Sequence, residues 1–223
     1  MLAAALLAFI SFHNLFAGTA LGFLASAALV VSVMLPSPKL TTPRGLYDRT
    51  TRGLRIYLAT PRLRGLLAIN LAVASAGATV IVNTVVYVQS LFGLPQASTA
   101  FALAAFGGGS MLAALVLPRL LDRIPDRTAM LAGASVLTAG TFAAAAIGRY
   151  EWLLPLWFAL GLGYSLAQTP SGRLLRRSAS PADRPSLFAA QFALSHACWL
   201  ITYPLAGWAG SKRGHAAYSV VVR

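Results

Sequence analysis

Long blocks without a charged residue alternate along this chain with short segments rich in arginine. No Asp, Glu, Lys or Arg occurs from Met1 to Pro38, from Gly65 to Pro118 or from Thr128 to Gly148. An apolar stretch of about 20 residues is long enough to cross the hydrocarbon core of a bilayer as a helix. The pattern therefore predicts membrane-spanning helices joined by polar loops.

Several such blocks are long enough for one complete span each. The predicted spans are 16–35, 66–91, 99–117, 130–147, 153–169 and 187–208. Residues 1–12 are interpreted as the remaining end of one more helix, so that the chain opens inside a helix. Pro36 and Pro38 end the helix 16–35, since proline cannot continue a helix. The predicted fold class is all-α, a polytopic transmembrane helix bundle of six full spans and an N-terminal stub.

These elements divide the chain into four segments. They are a helical segment at 1–36, a basic linker at 37–65, a five-helix bundle at 66–209 and a tail at 210–223. Within the linker, Tyr47 to Leu58 fits two alternatives, a basic amphipathic helix on the lipid headgroups or a solvated connection. The tail is too short for another span, and strict alternation places its Lys212 and Arg213 on the outer side, against the tendency of basic loops to face the cytoplasm. We therefore expect its natural continuation to be missing or altered.

Composition and charge support a membrane location. Hydrophobic residues make up 57% of the chain and charged residues only 10%, whereas charged residues make up about 25% of a soluble domain. The net charge of +13 comes from arginines in loops, where they mark the cytoplasmic side, so no nucleic-acid partner is predicted. We expect a multi-pass protein of a bacterial inner membrane. A cleaved signal peptide at the start is the alternative, but its basic first region is missing.

Polar side chains recur on one side of three predicted spans. The candidates for lining a substrate cavity are Thr79, Asn83, Tyr87, Tyr164, Ser165, Gln168, Gln191, Ser195 and Trp199. Spacings of three or four residues place such groups on one face of a helix. A polar group in hydrocarbon needs a hydrogen bond or water, so each stripe either lines an aqueous cavity or packs against a neighbouring helix. The sequence leaves both alternatives open.

Other candidate chemistry is weak. His196 could carry a proton, but no Asp or Glu lies in any predicted span to pair with it, which favours a neutral hydrogen-bonded role. The run Gly107-Gly108-Gly109-Ser110 has no lysine after it, so close helix packing explains it better than phosphate binding. Cys198 has no Cys or His partner at metal-ligand spacing. No enzymatic activity, cofactor or metal site is predicted.

A charged loop carries a family resemblance. Pro118-x-x-x-Asp122-Arg123-x-Pro125-Asp126-Arg127 resembles the major facilitator superfamily motif Gly-x-x-x-Asp-Arg-x-Gly-Arg-Arg/Lys, which joins helices 2 and 3 and, in weaker form, helices 8 and 9. Asp122, Arg123 and Arg127 match the motif, whereas prolines replace both glycines and Asp126 replaces a basic residue. The degenerate form resembles the second copy, so that residues 66–208 would correspond to helices 7 to 11.

The resemblance implies secondary transport by alternating access, with substrate bound near the midplane between two halves. It implies a charge contact of Asp122, Arg123 and Arg127 with a neighbouring helix end during the rocking motion. The implied partners are the lipid bilayer, a small amphipathic substrate, and a missing N-terminal half or another chain. We expect an efflux-type permease in an incomplete fold that does not transport alone. The alternative is a membrane structural or interaction subunit without its own transport activity.

Overall fold

The computed structural model of the chain describes residues 12–33 and 45–221. Its helices are α1 (Phe12–Ser32), α2 (Leu46–Ala59), α3 (Pro61–Val85), α4 (Gln96–Leu121), α5 (Asp126–Ala144), α6 (Tyr150–Gln168), α7 (Ser171–Ser178) and α8 (Arg184–Val221). Every regular element in these ranges is helical, which confirms the all-α prediction. Residues 1–11 of the predicted stub, residues 34–36 at the end of the predicted span 16–35, residues 37–44 of the linker and the last two residues of the tail lie outside the described residues.

The chain forms two compact units, Met1–Gly45 and Leu46–Arg223. In the first unit, the described residues form α1, an uncharged helix of 21 residues. Large apolar side chains such as Phe23 and Val31 are exposed along it. A helix with an apolar surface of this kind suits a lipid environment. The second unit contains all the other helices.

Two helices of the second unit are long and apolar enough to cross a membrane. They are Pro61–Leu91, which joins α3 to a π-helical segment at Val86–Leu91, and Gln96–Leu121. Each reaches a mean hydropathy of 2.0. Among the described residues, these two helices are both long enough and apolar enough for a span, whereas Phe16–Ser32 is an apolar helix that is shorter. The count of six spans stays a prediction.

One hydrophobic core lies where α3, α5 and α6 meet. Its centre is Trp157, which has no exposed surface and donates its indole N–H to Thr84 Oγ1 at 2.7 Å. The Tyr87 hydroxyl donates to the Ala144 carbonyl at 2.6 Å, and its ring meets Trp157 edge-on at a centroid distance of 5.8 Å. The polar atoms of these large aromatic side chains are therefore paired within the core, as buried polar atoms need to be.

Helices α4 and α6 approach each other at glycines. A Cβ atom on Gly109 would lie 2.0 Å from the Phe158 carbonyl oxygen, and one on Gly161 would lie 2.0 Å from the Phe106 carbonyl oxygen. Both distances are far below a van der Waals contact, so the two backbones touch only because these residues lack a side chain. The prediction of close helix packing is confirmed for Gly109, whereas Gly107 faces open space.

A second core joins α2 to the bundle. It contains Tyr57, Leu63, Leu66, Met130, Leu175, Leu187 and Ala190. The predicted linker is therefore helical from Leu46 to Ala59, and Tyr57 on this helix has no exposed surface. Pro61 occupies a first position of α3, where its missing N–H is not needed. The side of α2 that carries Tyr57 thus packs on protein.

The last helix, α8, is longer than its predicted span. It runs for 38 residues, from Arg184 to Val221, and so includes all but the last two residues of the predicted tail. At 1.5 Å per residue it measures about 57 Å, against about 30 Å for the hydrocarbon core of a bilayer. Near the predicted end of the span, the Lys212 ammonium lies 5.9 Å from the centre of the Trp208 ring. An indole beside a cation is typical of the membrane interface.

Candidate functional site

The polar stripe on α3 contacts different neighbours along its length. Thr79 is half-buried and donates its hydroxyl to the Ser75 carbonyl of its own helix at 2.9 Å. Asn83 is buried against α8, where a Cβ atom on Gly210 would lie 2.1 Å from its Oδ1 atom. Tyr87 belongs to the core around Trp157. For Tyr87 the structure therefore favours the packing alternative.

The Asn83 oxygen has no hydrogen-bond partner among the described residues. Its side-chain nitrogen is not among the buried unpaired atoms. An unpaired buried amide oxygen destabilises a folded chain unless a ligand, water or another segment supplies a donor. Of the α3 candidates, Asn83 is the one with a buried polar atom that lacks a hydrogen bond within the described chain.

The candidates on α8 spread over its packed and open sides. Gln191 is half-buried and accepts a hydrogen bond from the Tyr57 hydroxyl at 2.6 Å. Trp199 lies directly on the backbone of α3, since a Cβ atom on Gly77 would be 2.3 Å from its ring. Ser195 donates to the Phe192 carbonyl of its own helix at 2.9 Å. Gln191 and Trp199 therefore contact helices α2 and α3.

The candidates on α6 face α4 instead. The Ser165 hydroxyl lies 2.8 Å from that of Ser110 and also donates to the Ser110 carbonyl at 2.9 Å. The Tyr164 ring meets Phe106 edge-on, with centroids 5.7 Å apart. Gln168 is half-buried at the end of α6. Ser165 and Tyr164 thus make the inter-helix contacts that the packing alternative describes.

The candidates with inter-helix contacts therefore lie at different helix interfaces. Asn83 and Trp199 lie at the seam between α3 and α8, whereas Tyr164 and Ser165 lie between α4 and α6. That any of them lines a substrate path stays a prediction. His196, outside this set, is exposed and stacks on Phe192 at a centroid distance of 4.0 Å, with Nδ1 2.8 Å from the Phe192 carbonyl oxygen.

Two polar residues beside this seam were missed by the stripe pattern. Tyr57 lies on α2, outside every predicted span, and Asn70 falls outside the fourfold spacing of the α3 stripe. Asn70 is only 2% exposed, and neither polar atom of its amide has a hydrogen-bond partner among the described residues. Burial raises the pKa of Tyr57 to about 12, helped by the neighbouring Cys198 thiol and opposed by the Asn70 amide. The presence of a single amide side chain near the start of an uncharged span could have drawn attention to Asn70 in the sequence.

The loop motif uses a different acid from the one expected. Asp122, Arg123 and Arg127 are exposed, and in the described part of the chain they form no ion pair. Asp126, at the position that departs from the family motif, instead binds two arginines of α7. Its carboxylate lies 2.7 Å from Arg173 and 3.3 Å from Arg177. The predicted contact of the three matching residues with a helix end stays a prediction.

We expect Asp126→Asn to lower the melting temperature and Asp122→Asn to leave it unchanged. The first substitution removes the charge from two ion pairs, one of them at 2.7 Å. Partly exposed pairs contribute up to about 1 kcal/mol, which corresponds to a shift of about 3 °C in a chain of this size. Thermal unfolding in detergent measures both variants. The difference should shrink in 1 M salt, and equal shifts would contradict the assignment of the pair to Asp126.

Groups of three or more His, Cys, Asp or Glu side chains that could hold a metal ion are absent from the described residues. The polar contacts at the seam involve amides, hydroxyls and aromatic rings. Such groups bind a ligand by hydrogen bonds and ring contacts. This chemistry suits reversible binding.

Comparison with known proteins bears on the origin of this arrangement. A sequence model of the Major Facilitator Superfamily matches residues 67–221. Neither the search of curated proteins nor that of solved structures gave a match. The matched range holds most of α3 and all of α4 to α8, including the loop motif at 118–127. The resemblance drawn from that motif is confirmed, and the chain belongs to the Major Facilitator Superfamily, a family of membrane transporters.

Proposed function

We propose that the chain forms part of a secondary transporter that exports a small, uncharged amphipathic molecule across a bacterial inner membrane. The observation that carries this proposal is the division of the exposed surface of α8 into two sides. Residues on a helix advance by about 100° each, so the two sides can be assigned from the sequence and the exposures.

One side of α8 is apolar. Ile201, Leu205 and Trp208 are all strongly exposed there, with Trp208 at 64%. Leucine and isoleucine side chains need no hydrogen-bond partner, so lipid hydrocarbon is a suitable environment for them. The Trp208 indole can form its hydrogen bond near the membrane interface. This side suits contact with lipid.

The other side joins aromatic rings to polar atoms. Phe192 and His196 stack on each other, and Trp199 and Tyr203 lie with their ring centroids 5.1 Å apart. Ser195 lies on the same side. Imidazole, indole and hydroxyl groups are stabilised by hydrogen bonds that lipid hydrocarbon cannot form. This side therefore suits an amphipathic ligand.

The middle of α8 has no charged residue, which restricts the class of ligand that it can bind. No Asp, Glu, Lys or Arg occurs between Pro185 and Ser211. A charged ligand would lose its hydration there without gaining a counter-charge from α8, which is unfavourable in a low-dielectric environment. Ring contacts and single hydrogen bonds favour an uncharged molecule with one apolar and one polar part.

The proposed path has further walls. Phe192, His196 and Tyr203 on the aromatic side are exposed, whereas Trp199 packs against α3 at one border of it. Helices from another part of the protein or from a partner chain would complete the enclosure. The export direction and the inner membrane are proposed from the general likeness of the chain to bacterial efflux members of its family. The lipid bilayer is the remaining partner.

Equilibrium binding tests the ligand class. We expect the purified chain in lipid nanodiscs to bind the uncharged amphipathic dye Nile red saturably, above the partitioning measured in empty nanodiscs. Phe192→Ala should weaken binding about tenfold, since loss of an aromatic contact of about 1.4 kcal/mol has that effect. Leu205→Ala, on the lipid side of the same helix and similarly exposed, is the matched control and should leave the affinity unchanged.

Two results would contradict parts of the proposal. Equal weakening by Phe192→Ala and Leu205→Ala, or no saturable binding, would contradict a ligand site on the aromatic side. If dye enters liposomes that contain this chain alone faster than it enters empty liposomes, the need for further helices is contradicted.

A further inference from the structure

Helix α2 is fastened to the start of α8 by a close backbone approach. A Cβ atom on Gly53 would lie 1.9 Å from the Ser186 carbonyl oxygen and 3.3 Å from the Ala190 side chain. No side chain larger than hydrogen fits between the two helices at this point. Glycine at position 53 therefore lets α2 lie directly on the first turn of α8.

An ion pair ties the same two elements one residue earlier. Arg52 Nε lies 2.6 Å from Asp183 Oδ1, and Arg52 Nη2 donates to the other carboxylate oxygen at 3.2 Å. The hydrogen bond and the charge of Asp183 raise the pKa of Arg52. The two-point geometry is the strong form of an arginine–carboxylate contact. Because the Arg52 side chain keeps 35% of its surface exposed, water can reach the pair and compete for it.

A hydrogen bond fixes α2 one turn later. The Tyr57 hydroxyl, on a side chain with no exposed surface, donates to Gln191 Oε1 at 2.6 Å. Tyr57 also packs with Leu66 of α3 and Leu187 of α8, so it lies against both helices of the seam near the loop that carries the arginines of α7.

One buried group destabilises the docked arrangement of α2. The Asn70 amide is buried near the Tyr57 hydroxyl and opposes the rise of its pKa, but Tyr57 donates its proton to Gln191 instead. Neither the oxygen nor the nitrogen of Asn70 has a partner within hydrogen-bond geometry among the described residues. Both atoms could be hydrated if α2 moved away. Burial of Tyr57 and the ion pair favour docking, whereas the unpaired Asn70 amide favours release. Such a balance is what a two-state element needs.

We propose that α2 is a lid over the arginine-rich end of the seam between α3 and α8, and that it alternates between this docked position and a released one. The functional meaning of the lid rests on the proposed function, because the seam borders the proposed ligand side of α8. Docking itself can be measured without any substrate.

The chain contains its own reporter for this movement. Cys198, the single cysteine, is 7% exposed and lies two turns after Gln191, the partner of Tyr57, on the same face of α8. A water-soluble maleimide labels this buried thiol only when the packing around it opens, and release of α2 from that face would promote such opening. The labelling rate in nanodiscs, compared with that of the chain denatured in detergent, therefore reports the released fraction.

Substitutions at the contacts should change this rate in opposite directions. We expect Gly53→Ala to raise it about tenfold, whereas Gly65→Ala, at a glycine that faces open space, should not change it. Asp183→Arg should raise it about threefold, and the added change Arg52→Asp should restore it. Asn70→Leu should lower the rate about threefold, because it removes the group that favours release.

The result that would overturn the lid is equally direct. Cys198 that labels as fast in the native chain as in the denatured chain, or rates unchanged by both Gly53→Ala and Asp183→Arg, would exclude it. Helix content from circular dichroism distinguishes release of α2 from unfolding of the bundle, and the charge reversal gives a second route should Gly53→Ala unfold. Loss of Nile red binding with these rate changes intact would count against the proposed function alone.

Discussion

Replacing Gly161 or Gly109 by valine is expected to prevent stable packing of α4 on α6. At both positions a Cβ atom would lie 2.0 Å from a backbone carbonyl oxygen of the facing helix, so neither helix can yield by turning a side chain. Overpacking usually destabilises by 1–3 kcal/mol, and a clash with backbone on both helices places the effect at about 3 kcal/mol or above. The helices would have to separate, and Ser110 and Ser165 would lose their hydrogen bonds.

The recovery of monodisperse protein in mild detergent and its melting temperature measure this effect. Gly107→Val is the matched control, since Gly107 lies on the same helix as Gly109 and has nothing within 4 Å of the added carbon. It should behave as the native chain does. If Gly107→Val and Gly109→Val were equally damaging, the loss would come from the valine itself and the close approach would be wrong.

Replacing Trp157 by alanine is expected to cost about 3–5 kcal/mol of stability, the range for a buried aromatic side chain. The indole has no exposed surface, contacts the Tyr87 ring and donates its N–H to Thr84. In a membrane the loss is mainly one of packing contacts and of the buried hydrogen bond, because the lipid is as apolar as the core. Three helices would lose their common contact.

Trp152 provides the control for this substitution. It lies near the start of the same helix and is 68% exposed, so Trp152→Ala removes an equal side chain without opening a cavity. Unfolding in a mixed-detergent titration compares the two variants. A similar loss of stability in both would show that Trp157 does not hold the core together.

Much of the helix layout could be predicted from the charge pattern. The uncharged block at 66–91 became Pro61–Leu91, and the block at 99–117 became Gln96–Leu121. The observed helices are longer because residues in water can continue a helix that begins in lipid. Proline at position 61 favours a start earlier than hydrophobicity alone suggests, since it fits the first turn.

The neighbours of each polar stripe could not be predicted in the same way. Asn83 and Tyr87 are four residues apart and share a side of α3, but one meets α8 and the other meets α5 and α6. Helical spacing fixes which residues share a face. It contains no information about where the border between two packed neighbours falls on that face.

The charged contacts were hard to predict for a related reason. The family motif directed attention to Asp122, whereas the carboxylate that binds arginine belongs to Asp126. Which acid finds a partner depends on where the loop between α4 and α5 lies relative to α7. Likewise, nothing local to Tyr57 indicates that its hydroxyl reaches Gln191, a residue 134 positions away in the chain.

The length of α8 gives small rotations a long reach. A continuous rod of about 57 Å, pivoting at its Asp183 end by about 10°, would displace its opposite tip by about 10 Å. The same pivot would move the residues beside Asp183 by only a fraction of that distance. A spin label near the tip, paired with a second label on a neighbouring helix, would therefore register motions that are too slight to detect where α2 is attached.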